Sequence, residues 1–357
     1  MHERGSSSST DGLIETHDDP DPVRSGRMVV MFVENPALRH QWYVVAEGAD
    51  VTDAPVGVRL LGADYVVWRS PSGEVTAAPD RCPHRESPLS IGTVEQGCLR
   101  CPYHGWTFGD GGRCVEIPSS GRDRPVPPAA HLATVSAVER YGLVWLCPDD
   151  PEGTIPLMSV EDDPTYRRIN SGIETWATSA TRMTDNFMDI SHFPWVHLGT
   201  FGVEQNTEVP KLHLEALDDG WFGYRYEVEA RNDTGGTVAS GQEGDVVHRR
   251  MSTGFHLPFS VRSTIHYETG LDHLLLLCST PVDDTTSSFT FVVWRNDDFS
   301  TPTEEIIAFD RAIGAEDKVM LERVPGVLPL DQQATVSVQS DRPSVEWRRQ
   351  LAALIGS

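Results

Sequence analysis

The chain has 357 residues, 39% of them apolar, which is enough for a sizeable core in two domains or one large one. Its 29 basic and 53 acidic residues leave a net charge of −24. That argues against nucleic-acid binding, which needs a basic stripe to displace counterions, and suits either a solubilising surface or a basic partner drawn by long-range attraction. No apolar run reaches the ~18 residues of a membrane span, and Met1 to Gly26 lacks the apolar segment of a secretory signal, so a cytoplasmic protein that does not associate with membrane is expected.

In chain order, residues 1–35 read as a mobile acidic tail. From Pro36 to Pro148 short β-type runs alternate with turn signals. Gln41 to Ala46, Val58 to Leu61 and Tyr65 to Arg69 predict strands, Pro71-Ser72-Gly73-Glu74 a hairpin turn, and Gly109 to Gly112 a second hairpin after Trp106-Thr107-Phe108. Gly142 to Cys147 predicts a buried strand that closes a small antiparallel β-domain over 36–148. Asp149 to Gly153 reads as a linker to a second domain, 149–357. There, Thr184 to His197 looks helical with Pro194 interrupting it, and strands are expected over Trp221–Glu229, Phe259–Tyr267, His273–Cys278 and Ser288–Trp294. Helices near Thr303–Val324 and Ser344–Ile355 complete an α+β half, a sheet with helices gathered on one side.

Six cysteines in a long chain without an export signal favour metal binding or plain burial over three disulfides. Three of the six crowd beside two histidines. One arm reads Cys82-Pro83-His84-Arg85 and the other Cys101-Pro102-Tyr103-His104-Gly105-Trp106, with sixteen residues between His84 and Cys101. Two such loops can converge two thiolates and two imidazoles on one [2Fe–2S] centre, the Rieske arrangement. Gly97 and Gly105 leave room for backbone amides near the sulfurs. A Cys₂His₂ zinc set is also contained in Cys82, His84, Cys98, Cys101 and His104, but zinc modules pair Cys with Cys and His with His, whereas each arm here mixes the two.

These two arms resemble the Rieske domain of bacterial aromatic-ring hydroxylating oxygenases and their O- and N-demethylase relatives, a resemblance that extends over both halves of the chain. It implies a [2Fe–2S] cluster on Cys82, His84, Cys101 and His104, with Cys98 a buried thiol outside the set. For the second half it implies a helix-grip, START-like fold.

A second constellation lies in Asn186-x₂-Asp189-x₂-His192-x₄-His197. On an ideal helix His192 and His197 would point about 140° apart, and Pro194 between them supplies the distortion that can bring both to one side. Two imidazoles and one carboxylate form the facial triad of non-haem Fe(II) oxygenases. Thr301-Pro302-Thr303-Glu304 reads as a capping box opening a helix, whose apolar stripe carries Asp317 near its middle, with Asp310 and Glu316 at its edge as weaker candidates for the third ligand.

The resemblance supports His192, His197 and Asp317 as iron ligands, and it gives Asn186 and Asp189 catalytic positions. The family's matching Asp bridges an iron-binding His to a cluster-binding His of the neighbouring subunit, which for this chain implies Asp189 joining His192 to a neighbour's His104 in a homotrimer. It also implies electrons from NAD(P)H through a partner reductase, with or without a ferredoxin, since no Gly-rich nucleotide fingerprint is present. Hydroxylation or oxidative demethylation of an aromatic or other hydrophobic small molecule is the implied reaction, and cis-dihydroxylation the alternative. A Rieske electron-transfer protein, or a ligand-binding module without catalytic iron, are the readings from other classes. Phe201, His256 and Trp294 are candidate pocket residues, each with ordinary packing as the simpler reading.

Overall fold

The computed structural model describes residues 31–121 and 124–356. Most of the tail expected at 1–35 lies outside the described residues, but its last five residues are docked rather than free. Phe32–Glu34 forms a 3-10 turn with Val33 buried, and the backbone N–H groups of Phe32 and Val33 donate to the Asp284 carboxylate at 3.0 and 2.9 Å. One carboxylate satisfies two amides there, so the tail reading stops short of residue 31.

Ten short strands follow: β1 (Tyr43–Glu47), β2 (Val56–Leu60), β3 (Ala63–Arg69), β4 (Val75–Pro79), β5 (Thr93–Glu95), β6 (Cys98–Arg100), β7 (Thr107–Phe108), β8 (Cys114–Glu116), β9 (Ser136–Arg140) and β10 (Leu143–Cys147). Among the described residues they make three antiparallel sheets, ordered β1-β10-β9, β2-β3-β4 and β5-β6-β7-β8. β10 is buried along its whole length, as a continuous apolar run requires. The expected turn between β3 and β4 forms around Gly73, whose φ of +86° is open to glycine without strain.

The second half is built on a seven-stranded antiparallel sheet among the described residues. Its strands are β11 (Arg167–Trp176), β12 (Glu215–Ala216), β13 (Phe222–Arg231), β14 (Val246–His256), β15 (Ser260–Tyr267), β16 (Asp272–Pro281) and β17 (Ser287–Arg295), ordered β11-β17-β16-β15-β14-β13-β12. With it come α1 (Ala180–Phe187), α2 (Phe193–Val196), α3 (Thr234–Ser240), α4 (Thr303–Leu321) and α5 (Arg342–Ile355). The period-two alternation of strands sorts side chains between two faces. Leu274, Leu276 and Cys278 join Trp221 and Trp294 in a cluster with Val44, Tyr141 and Trp145 of the first half. Leu275 and Leu277 point the other way, into a cavity under α1 and α4. The Thr280 hydroxyl donates to the Val44 carbonyl at 2.7 Å and pins β1 against the first of these faces. The helices therefore have one side of the sheet to themselves.

Several expected elements are corrected. Strands β11 and β14 and helix α3 are absent from the sequence reading, because β11 opens on two arginines and holds Gly172, and β14 buries Arg249, Ser252 and Thr253 among its apolar residues. The capping box at Thr301–Glu304 does not form. α4 starts at Thr303 with Pro302 as its N-cap and no side-chain cap, and the Thr301 carbonyl instead accepts Arg167 Nη1 at 2.8 Å. The helix expected over Thr184–His197 is two pieces, with a tight turn between them.

Candidate metal centres and active site

That turn makes the first centre. α1 ends at Phe187, and the Asp189 carboxylate then accepts the Ser191 amide at 2.9 Å, the Ser191 hydroxyl at 2.7 Å and the His192 amide at 3.2 Å. A side chain that satisfies local amides competes with the helical ladder and turns the chain. Pro194, with no N–H to give residue 190, sits in the first turn of α2, where a proline is tolerated. After this break the His192 and His197 Nε2 atoms lie 3.1 Å apart.

α4 delivers the carboxylates. Asp317 Oδ1 lies 3.4 Å from each Nε2, and Asn186 Nδ2 donates to the same oxygen at 2.9 Å. His192, His197 and Asp317 form a group whose ligand atoms all fall within 4.8 Å of one another. The other face of each ring is held as well. His192 Nδ1–H donates to Asp189 Oδ2 at 3.1 Å, and His197 Nδ1–H donates to Glu316 Oε2 at 3.0 Å, an oxygen that also accepts the Thr200 hydroxyl at 2.7 Å. Gly199 leaves space for the Glu316 side chain, since a Cβ there would collide with Oε1. With each Nδ1 proton held by a carboxylate acceptor, each ring would offer its Nε2 lone pair to a metal bound beside Asp317. Three acceptors converging in a buried place need a cation between them. The donor set therefore fits a divalent metal with two imidazoles and one carboxylate.

Electrostatics follow the same geometry. Burial alone would lower the His192 pKa, but its hydrogen bonds to the Asp189 and Asp317 carboxylates, and their negative charges, outweigh it and raise it to about 9. His197 goes the other way: burial and its neighbour His192 lower it, against the pull of Asp317 and Glu316.

Next to this group opens a cavity of ≈120 Å³. Met251, Ile265, Leu275, Leu277, Phe289 and Phe291 line it from the sheet, and Phe187 and Ile313 from the helices. Among the candidate pocket residues Phe201 reaches it and stacks on His197 with ring centroids 4.8 Å apart. His256 instead packs at the edge of Trp221 and meets the Thr154 hydroxyl, and Trp294 Nε1 donates to Glu161 on the opposite face of the sheet. Asp310, a weaker candidate for third ligand, lies about two turns before Asp317 on α4 and faces His273 Nε2 at 3.3 Å. Glu316, the other weaker candidate, accepts from His197 Nδ1 instead of facing the point where His192, His197 and Asp317 converge. Arg249 was not singled out from the sequence, because a lone arginine in a run of mixed polarity carries no motif.

The second centre is built from two matched loops. In one, the Cys82 carbonyl accepts the Glu86 amide at 2.9 Å; in the other, the Cys101 carbonyl accepts the Gly105 amide at 3.1 Å. Both closing residues are left-handed, with φ of +57° and +70°. Cys82 and Cys101 are buried, while His84 and His104 are exposed with ring centroids 4.5 Å apart. Trp106 stacks on His84 at 4.7 Å. Burial, with Cys101 beside it, pushes the Cys82 thiol up to about 11. Thiols inside and imidazoles outside fit a cluster with one iron buried on sulfur and one near the surface on nitrogen.

Cys98 is half-buried on β6 rather than fully buried, and its Sγ lies toward Gly109. At Gly97 φ is +78°, and a Cβ there would collide with the Pro71 backbone, so glycine is needed for that close approach.

Comparison with known proteins agrees with this architecture. Residues 41–136 match the Rieske [2Fe-2S] domain, and residues 176–357 match the vanillate O-demethylase oxygenase C-terminal domain. Methylxanthine N1-demethylase NdmA of Pseudomonas putida is 31% identical, with 90% of each chain covered. The oxygenase component of dicamba O-demethylase from Stenotrophomonas maltophilia is 37% identical over 45% of this chain and 48% of its own. The solved structure of NdmA with caffeine superposes with a TM-score of 0.78 at 30% identity, covering 91% of this chain and 93% of that one.

The chain belongs to the Rieske non-haem iron oxygenases, as a terminal oxygenase component. Within that family it is an oxidoreductase of the hydroxylating and demethylating branch. It uses a Rieske cluster and a mononuclear iron and draws electrons from a partner protein to oxidise a small molecule. Among the described residues no helix is long and apolar enough to cross a membrane.

Proposed function

We propose that this chain oxidatively demethylates, or hydroxylates, a small aromatic compound at an iron held by His192, His197 and Asp317, served by a cluster held on Cys82, His84, Cys101 and His104. The convergence of two Nε2 lone pairs and Asp317 Oδ1, with both Nδ1 atoms fixed by carboxylates, carries the reading. When bound, the cluster supplies one-electron transfer and the iron the reductive activation of O₂. The residues of the chain supply the rest. Asp189 and Glu316 orient the imidazoles, Asn186 steers Asp317 through a hydrogen bond, and the apolar cavity wall holds a flat substrate and keeps water out.

Demethylation is favoured because the relatives include a methylxanthine N1-demethylase and a dicamba O-demethylase. The electrons come from NAD(P)H through a reductase, directly or by way of a ferredoxin, in the cytoplasm where that cofactor is supplied. Residues 36–148 form the cluster domain and 149–357 the catalytic domain. Three chains assemble head to tail, so that Asp189 of one chain reaches His104 of the next. Iron analysis of the purified protein together with reductase-coupled O₂ uptake tests the reading. Two irons for the cluster and one more per chain are expected, with formaldehyde released from a methoxylated or N-methylated aromatic. Two irons alone, with no O₂ uptake on any substrate, would remove the oxygenase function.

A further inference from the structure

Two carboxylates are buried among the described residues, Asp310 and Asp317, and both stand on α4. They are seven residues apart, so they leave the helix within about 20° of one direction and about 10 Å apart along its axis. Both line the cavity. Asp317 is accounted for by the metal position, whereas Asp310 has no place in the chemistry described so far. Its one ion-pair partner among the described residues is His273 Nε2 on β16, at 3.3 Å.

His273 is buried as well, and its tautomer is set from behind. Arg295 Nη1 lies 3.4 Å from His273 Nδ1, and a guanidinium can only donate. Nδ1 is therefore the acceptor, and the ring proton sits on Nε2, toward Asp310. Arg295 is fixed in turn by Asp297, whose Oδ2 accepts its Nε at 2.6 Å. His273 Nε2 and Asp310 Oδ2 are close but not aligned as a hydrogen bond, and neither atom has another partner. A buried acceptor left unused is costly, so this oxygen is free for a proton-bearing group in the cavity.

Demethylation leaves work for such an oxygen. Oxidation of an O- or N-methyl group gives a hydroxymethyl group, whose carbon–heteroatom bond must still break. One carboxylate can serve both ends of that step. The hydroxyl proton passes to the carboxylate, and the O–H electron pair becomes the second C–O bond of formaldehyde. The electron pair of the carbon–heteroatom bond leaves with the heteroatom, which then takes the proton back from the carboxyl group. Asp310 is regenerated, and nothing is oxidised or reduced by an outside reagent. Resting on the demethylase reading above, we propose that Asp310 is the catalytic acid–base for this bond cleavage, with the His273 Nε2–H turned toward its carboxylate.

The test uses full-length, iron-loaded protein without a reductase, and N-hydroxymethylbenzamide as a ready-made intermediate. Wild-type protein should release formaldehyde at least about 100-fold faster than buffer. Asp310→Asn, which keeps the shape and loses the base, should fall to the buffer rate, as should Asp310→Leu. Either variant decides if the other fails to fold. The proposal falls if wild-type protein is no faster than buffer, or if a folded variant keeps the wild-type rate. A rate equal to buffer, in protein that frees formaldehyde from a methylated aromatic when coupled to a reductase, sinks only the role of Asp310. Acceleration that both variants abolish, in protein that takes up no O₂ with any methylated aromatic, supports Asp310 and sinks the demethylase reading.

Discussion

Replacing Glu316 with alanine isolates what the carboxylate behind His197 contributes. Glu316 Oε2 accepts two hydrogen bonds, from His197 Nδ1 at 3.0 Å and from the Thr200 hydroxyl at 2.7 Å, and the His197 side chain is only 2% exposed. The substitution leaves a buried imidazole N–H without an acceptor and frees the ring to turn or change tautomer. A hydrogen bond to a charged group is worth about 1.5–3 kcal/mol. Loss of a partner behind a metal-binding histidine costs 10–100-fold in metal affinity, or about 1.4–2.8 kcal/mol. The two ranges agree, so a loss of one to two decades in iron affinity is expected for Glu316→Ala. Glu316→Gln keeps an acceptor and should lose less than about tenfold. Chelator competition for the mononuclear iron measures this, with the visible absorbance of the cluster as internal control. Iron affinity of Glu316→Ala within threefold of wild type would refute the reasoning, because His197 would then be held by packing alone.

Asp189→Asn retains a side chain that can accept from the local amides, so both metals should remain bound while reductase-coupled turnover falls by about 10–100-fold. Turnover at the wild-type rate would remove the bridging role. For pH, the His192 pKa in metal-free protein is raised from 6.5 to about 9, so its contribution to stability is fully present below pH 6.5 and is lost as pH rises through about 9. Thermal stability of the iron-free protein should therefore decline across that window. Iron binding should release about one proton, with affinity climbing roughly tenfold per pH unit below 9. A pH-independent iron affinity over pH 6.5–8.5 would contradict this account of the site.

Legibility in the sequence followed the range of the interactions. The cluster arms at Cys82–His84 and Cys101–His104 are local loops, each closed by a hydrogen bond across four residues, so their spacing already carries their geometry. β10 and the turn at Gly73 were legible for the same reason. Arg249, Ser252 and Thr253 hid β14, because their burial depends on neighbours β13 and β15 rather than on their own polarity. The capping box at Thr301 does not form because the helix starts one residue later than the pattern suggests, with Pro302, which has no side-chain acceptor, at the cap position.

The motif Asn186-x₂-Asp189-x₂-His192-x₄-His197 by itself determined which residues belong together, and Pro194 foretold that the helix would break among them. Only the tertiary structure decided how far apart the two rings end up, that Asp317 rather than Glu316 faces them, and that Glu316 holds His197 from behind. Neighbours on α4 differ by about 100° in direction, and which of the two points at the histidines depends on how α4 packs over the sheet. That Arg249 is buried on the cavity wall with no carboxylate within salt-bridge distance among the described residues is likewise a property of the tertiary structure, since a side chain's partners are set by neighbours far off in sequence.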